Sequence, residues 1–188
     1  MATINTNDLK NGAVLKIDGN LWQVVWFQHH KPGKGGAVVR SKLRNVGTGA
    51  VVERTLAAGA DMELAIVDKR EMQYLYHDGT HYVFMDTGTY DQLSLSEQDL
   101  GDVKNYLTEQ QTATIAVYDG RPISVELPAS VELKIAESDP GVKGDRVSGA
   151  TKPAILETGL TIQVPLFVEP GEKVKVDTRT GAYITRVS

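Results

Sequence analysis

Short apolar stretches alternate with tight turns along the whole chain. Residues 13–17 (Ala-Val-Leu-Lys-Ile) run into Asp18-Gly19 and then into the apolar stretch 21–27. An Asp-Gly pair supplies the positive φ angles that a two-residue hairpin turn needs. The pair recurs at Asp78-Gly79, between residues 72–77 and 81–85, and at Asp119-Gly120, between 114–118 and 123–127. Three such hairpins in three parts of the chain predict three β modules. Short strands at this spacing favour small barrels over a parallel sheet. Near the end, Val174 and Val176 alternate with Lys173 and Lys175, the pattern of a half-buried strand. The last third as a whole has the strand and loop pattern of a five-stranded barrel of the OB type. One helix of a turn or two is expected around Leu100, Val103 and Leu107, spaced i, i+3, i+7. Ser94 or Ser96 is its cap, with Ser94 to Glu97 fitting a capping box, and Gly101 weakens it.

Charge marks the module boundaries. Residues 1–65 carry a net +3, residues 66–127 a net −7, and residues 128–188 none, within an overall −4 for 188 residues. Pro128 follows the second boundary. The expected domains are therefore 1–65, 66–127 and 128–188. Pieces this small bury only about 60% of their unfolded surface and are marginal alone, so they are expected to pack together or share strand pairing. The stretch 29–54 is locally basic, with Lys31, Lys34, Arg40, Lys42, Arg44 and Arg54 against Glu53. It reads equally as a solvated strand face or as a local polyanion site.

Composition removes several function classes. There is no Cys, so disulfides, thiolate metal sites and Cys nucleophiles are out. No apolar run approaches the roughly 20 residues that span a bilayer. The first residues lack the basic and apolar regions of a signal peptide, which leads to the expectation of a cytoplasmic protein without a membrane partner. His29 and His30 are adjacent and would face opposite ways on a strand, so no metal site is expected there. No nucleophile elbow, HExxH pattern or paired acid and base stands out. The expectation is a protein that is not an enzyme and holds no cofactor.

The most unusual stretch is His29-His30-Lys31-Pro32-Gly33-Lys34-Gly35-Gly36. It lies between two strand-like runs, and Pro32 with three glycines prevents regular pairing across it. The geometry this implies is a protruding hairpin tip with Lys34 at its apex and little steric shielding around the amine. An ordinary Gly-rich turn with an incidental lysine satisfies the same residues. A phosphate loop does not, because Gln28 stands at the first glycine position and Gly35 where Ser or Thr would hold magnesium.

Taken in order, these segments resemble the bacterial elongation factor P family. The resemblance is carried by Lys31 to Gly35, by Asp139-Pro140-Gly141 with Lys143-Gly144-Asp145, and by Lys152-Pro153-Ala154. Residues 164–168, Val176 to Arg179 and Tyr183 continue it, so that it spans essentially the whole chain. It implies an SH3-like, or KOW-like, domain followed by two OB barrels in an L-shaped arrangement that mimics tRNA. It further implies a translation elongation factor that binds the 70S ribosome, rRNA and ribosomal proteins included, between the peptidyl and exit sites. There it would promote peptide-bond formation at consecutive prolines by positioning the CCA end of the P-site peptidyl-tRNA. Lys34 would touch that end, shaped by Pro32, Gly33, Gly35 and Gly36, and would be the target of a lysine-modifying enzyme. Lys31, Arg40, Lys42 and Arg44 become candidates for the acceptor arm, and Gly144, Asp145 and Arg146 for the exit-site loop. Tyr183 and Arg186 are further tRNA candidates, although Tyr183 reads equally well as a packed strand residue. The chain is expected to act as a monomer. It departs from the family at Arg146, where many members have Thr, and at Gly36, where a polar residue is common.

Overall fold

The computed structural model describes residues 1–141 and 149–187. The protein is mostly β, with 57% of the described residues in strands and 7% in helices, arranged as three antiparallel sheets. By contacts it divides into two compact units, Met1–Lys69 with Ala116–Ser124, and Arg70–Ile115 with Val125–Ser188.

The first sheet contains β1 (Ala2–Asn5), β2 (Val14–Ile17), β3 (Asn20–His30), β4 (Val38–Asn45), β5 (Val51–Ala57) and β6 (Asp61–Leu64), in the order β1-β6-β2-β3-β4-β5. The turn between β2 and β3 is the expected one: Asp18 and Gly19 have φ of 52° and 77°, and Ile17 pairs with Asn20. The core on the inner face is Leu9, Leu15, Val24 and Leu43, with Trp22, Phe27, Val52, Leu56 and Leu64 packed against it. On β4, Val39, Ser41 and Leu43 are buried while Arg40, Lys42 and Arg44 are exposed, the period-two alternation of a half-buried strand.

One irregularity in this sheet has a large effect. The register of β3 on β4 shifts between Val24 and Trp26. Unbroken alternation would put Trp22, Val24 and Trp26 on the core side. The inserted residue ends that sequence, because a bulge sets two residues against one. Val24 remains buried, Val25 and Trp26 are 38% and 41% exposed, and Phe27 takes the core position.

The second sheet contains β7 (Asp68–His77), β8 (His81–Asp86), β9 (Gln92–Ser96), β10 (Thr112–Tyr118) and β11 (Arg121–Glu126), in the order β11-β10-β7-β8-β9. Met72, Tyr74, Val83, Phe84, Leu95 and Ile115 are buried. Asp119 and Gly120 have φ of 50° and 74°, again the expected turn. Asp78-Gly79 works differently. Only Gly79 has positive φ, and the Asp78 carboxylate instead accepts the backbone N–H groups of Thr80 and His81 at 2.8 and 2.7 Å. His77 stacks on Tyr82 across this hairpin, with ring centroids 4.3 Å apart.

The helical segment differs from the sequence expectation in two ways. The α-helix, α1 (Glu97–Leu100), is a single turn capped by Ser96, and the capping box closes with Asp99 rather than running from Ser94 to Glu97. Gly101, at φ 54°, breaks the helix, and a 3-10 helix continues over Gly101–Tyr106. The break redirects Tyr106, which is 9% exposed and belongs to the core of the third sheet.

That third sheet contains β12 (Ser130–Ser138), β13 (Thr151–Leu156), β14 (Thr161–Pro165), β15 (Lys173–Asp177) and β16 (Tyr183–Val187), in the order β14-β13-β12-β15-β16. Leu133, Ile135, Leu156, Val164, Val174 and Val176 are buried in its core. Thr158 Oγ1 donates to the carbonyl of Asn105 at 2.6 Å, a second tie beside Tyr106. The Tyr106 hydroxyl lies 3.2 Å from where a Cβ on Gly181 would sit, and Gly181 has φ of 73°. Burial and the carboxylates of Asp102 and Asp177 raise the Tyr106 pKa, which keeps the phenol neutral. Lys152 is buried and donates from Nζ to the carbonyl of Asp139 at 2.7 Å. Gly141 is required sterically, since a Cβ there would meet the Leu166 carbonyl oxygen at 2.7 Å.

Packing and turn chemistry each lead to a measurable outcome. Tyr106→Ala empties a ring-sized space in the third sheet's core and should cost about 3 kcal/mol, read from the urea midpoint with probes in the second and third sheets. The other outcome concerns acid. Backbone N–H groups hold the carboxylates of Asp78, Asp86 and Asp177 below their ordinary value of 3.8. A depressed folded-state pKa stabilises the fold above the unfolded-state value and loses that contribution as pH falls through the folded-state pKa. Urea midpoints should therefore fall as pH drops below about 3.8, and the triple Asp→Asn variant should show a flatter profile there.

Candidate functional site

The long hairpin of β3 and β4 carries the tip. Strands of 11 and 8 residues pair from Trp22 with Asn45 as far as His30 with Val38. Pro32 cannot donate to a ladder and the following glycines hold no side chain against one, so residues 31–37 leave the sheet. Lys31, Gly33, Lys34, Gly35 and Gly36 are exposed and Pro32 is half-buried. Gly35 has φ of 110°, a conformation side chains disfavour, and a Cβ there would lie 4.0 Å from the Pro32 ring. Gly33 and Gly36 lie outside the positive-φ region, and a Cβ on either would meet nothing within 4 Å.

Behind the tip, the outer face of the same sheet is basic. Arg40, Lys42 and Arg44 project from alternate positions of β4. Register places Lys42 between Trp26 and Glu53, and Arg40 between Gln28 and Thr55. Lys42 Nζ is 3.6 Å from Glu53 Oε1 and 6.0 Å from the centroid of the Trp26 ring. The Lys42–Glu53 pair is exposed on both sides, 49% and 79%, so it orients the ammonium more than it stabilises the fold. These two rows border an open concavity of about 730 Å³. In the sequence Trp26 is one residue of an apolar run, and no signal there marks the register shift that turns it outward.

The remaining candidates are placed elsewhere. Tyr183 is half-buried and packs against the third sheet's core. Arg186 Nη1 bonds to Glu172 Oε1 at 3.1 Å, and its guanidinium lies 5.5 Å from the Phe167 ring centroid. Gly144, Asp145 and Arg146 lie outside the described residues. Among the described residues no group of three or more His, Asp or Glu is placed to hold a metal ion. Among them, too, no helix is long and apolar enough to cross a membrane.

Comparison with known proteins places this arrangement. Three family models match in succession: the elongation factor P KOW-like domain over residues 5–62, its OB domain over 67–125, and the elongation factor P C-terminal domain over 131–186. The chain is 57% identical to an elongation factor P of Kocuria rhizophila and 60% identical to one of Frankia casuarinae, each over all of both chains. Among solved structures, the eukaryotic translation initiation factor 5A from Methanococcus jannaschii aligns with 66% of this chain and 95% of its own, at 26% identity and a TM-score of 0.48. The KOW-like and OB modules define a β-rich class of translation factor. The chain belongs to the elongation factor P family.

The glycines of the tip can be told apart. Gly35→Ala should shift the Lys34 backbone amide resonance in an NMR spectrum, because the backbone must leave φ of 110° to accept a Cβ. Gly33→Ala and Gly36→Ala should leave it nearly in place.

Proposed function

We propose that this chain binds the ribosome between the peptidyl and exit sites and promotes peptide-bond formation at consecutive prolines. In this reading Lys34 positions the CCA end of the peptidyl-tRNA. Residues 1–65, 66–127 and 128–188 act as three domains, and Lys31, Arg40, Lys42 and Arg44 meet the acceptor arm. Lys34 is also the amine that a lysine-modifying enzyme would extend. Family membership implies an interaction with the ribosome.

One observation carries the reading: an exposed lysine stands in a glycine-lined tip at the end of the longest hairpin in the first sheet. Such a tip can enter a narrow RNA-lined site, and no bulky neighbour blocks the ammonium. The chemistry asked of it is modest. Proline is a rigid participant in peptide transfer and seldom reaches a reactive geometry. A cation beside the tRNA backbone restrains that search, and orientation alone is worth up to about 7–11 kcal/mol in favourable intramolecular cases. A tenfold acceleration needs only about 1.4 kcal/mol. Lys34 orients and does not move protons.

Reconstituted translation of a reporter with three consecutive prolines tests this. Native protein should restore synthesis, and Lys34→Ala should lower the rate of the stalled step at least tenfold, with ribosome binding largely retained. Equal rescue by both would remove Lys34 from the mechanism. Rescue by neither, using protein from its own host, would remove the polyproline role. Arg40→Gln with Lys42→Gln should weaken ribosome binding and flatten its salt dependence. The slope of log K against log salt should fall by about one for each phosphate left without its cation.

A further inference from the structure

The outer face of the first sheet contains one residue that neither the fold nor the proposed role of Lys34 requires. Trp26 is 41% exposed although it stands in a strand whose neighbours Val24 and Phe27 serve the core. A tryptophan on the core side would have buried a large apolar surface, and the bulge at Val25 gives that up. Bulges commonly re-aim a side chain beside a functional site. Here the bulge puts an indole on the one face of the sheet where Arg40, Lys42 and Arg44 project.

The surroundings point to a ligand class. Two cross-strand rows lie side by side, Trp26–Lys42–Glu53 and Gln28–Arg40–Thr55. They border the open concavity of about 730 Å³, which lies within the range of roughly 300–1,000 Å³ of small-ligand clefts. The first row offers a π face and an ammonium. The second offers a guanidinium, able to grip a phosphate through two N–H groups, and a carboxamide with both donors and an acceptor. An aromatic face set among cations is the combination that binds unpaired nucleotides, because every base stacks and every phosphate is an anion. Glu53 opposes an anion, but it is 79% exposed, and an exposed pair of this kind is weak enough for Lys42 to exchange it for a phosphate.

We infer that this concavity binds an unpaired ribonucleotide, its base stacked on Trp26 and its phosphate held between Arg40 and Lys42. Gln28 reads the base edge. This rests on the reading that the face meets RNA, and it adds a base-stacking contact to what would otherwise be phosphate contacts alone. The site lies on the same hairpin as Lys34, four residues before the end of β3, about 13 Å along the strand. The factor would then hold its RNA partner at two points on one rigid element.

The test is a titration of the full chain, at low salt, with a four-nucleotide single-stranded RNA and with an abasic phosphodiester of the same length. Native protein should bind the RNA more tightly than the abasic oligomer, with a change in tryptophan fluorescence. Trp26→Leu should weaken RNA binding roughly tenfold, the typical worth of one stacked base, and abolish the preference over the abasic oligomer. Trp26→Phe should restore part of it, and Arg40→Gln should weaken both ligands. Lys134→Ala, which removes an exposed cation of the third sheet, should bind like the native chain, which separates this site from charge alone. Three results would overturn the inference. These are equal RNA binding by native and Trp26→Leu, no preference of native protein for the base-bearing oligomer, or no binding of either. Loss of ribosome association in Trp26→Leu without loss of RNA binding would assign the face to a protein contact and also sink it. In any of these cases an intact Lys34-dependent rescue of the proline reporter would leave the proposed function standing.

Discussion

Inward and outward alternation along antiparallel strands decides which side chains this molecule presents and which it hides. In the first sheet, Val39, Ser41 and Leu43 face inward because Arg40, Lys42 and Arg44 face outward. A slip of one residue would bury three cations and expose the core, so the register is held by a penalty far larger than any surface ion pair. The turn at Asp18-Gly19 fixes the pairing of β2 with β3 at one end of β3. At the other end the chain leaves the sheet only where Pro32 and the glycines make pairing impossible. The Lys34 tip is thus aimed by the core beneath the strands, since nothing in residues 31–37 is itself buried.

Sequence was most informative where one residue type does one local job. Asp18-Gly19 and Asp119-Gly120 adopt positive φ as their composition requires, and the lysine tip lies between the two strands it was expected to join. The mostly β character and the KOW-like and OB modules were legible from spacing and resemblance together. Where two physical solutions compete, sequence is ambiguous. Asp78 precedes a glycine like the other two aspartates, yet it uses its carboxylate to cap the turn and leaves positive φ to Gly79 alone. Ser94 and Ser96 both offer a helix cap, and the choice of Ser96 depends on Asp99 lying three residues further on. Nothing in the residues 21–28 signals that an extra residue is inserted at Val25. A bulge is a property of the pairing with β4, not of β3 alone.

Long-range packing was the least visible. Leu100, Val103 and Leu107 have helical spacing, and the reading of a short amphipathic helix follows from it. Gly101 converts that helix into two short pieces. The consequence is tertiary: Tyr106 serves the core of a sheet whose strands are all still to come in the chain. Gly181 completes the fit from the other side, because a Cβ there would crowd the phenol. No periodicity within residues 97–107 carries information about a glycine near the C-terminus.

That separation has a consequence for biosynthesis. The core cluster that Tyr106 joins draws its other buried members from β12 through β15 and Val168, and Gly181 lies about 75 residues downstream in a chain made from its N-terminus at roughly 5–20 residues per second. For several seconds the ring has been synthesised and has nowhere to go. The first sheet can close during that interval, since β1 to β6 are complete by Leu64. Tyr106 itself must wait until the strands of the third sheet's core have been made. A pause in elongation within the last third would prolong that wait, so the folding of this factor is itself exposed to the speed of the ribosome that makes it.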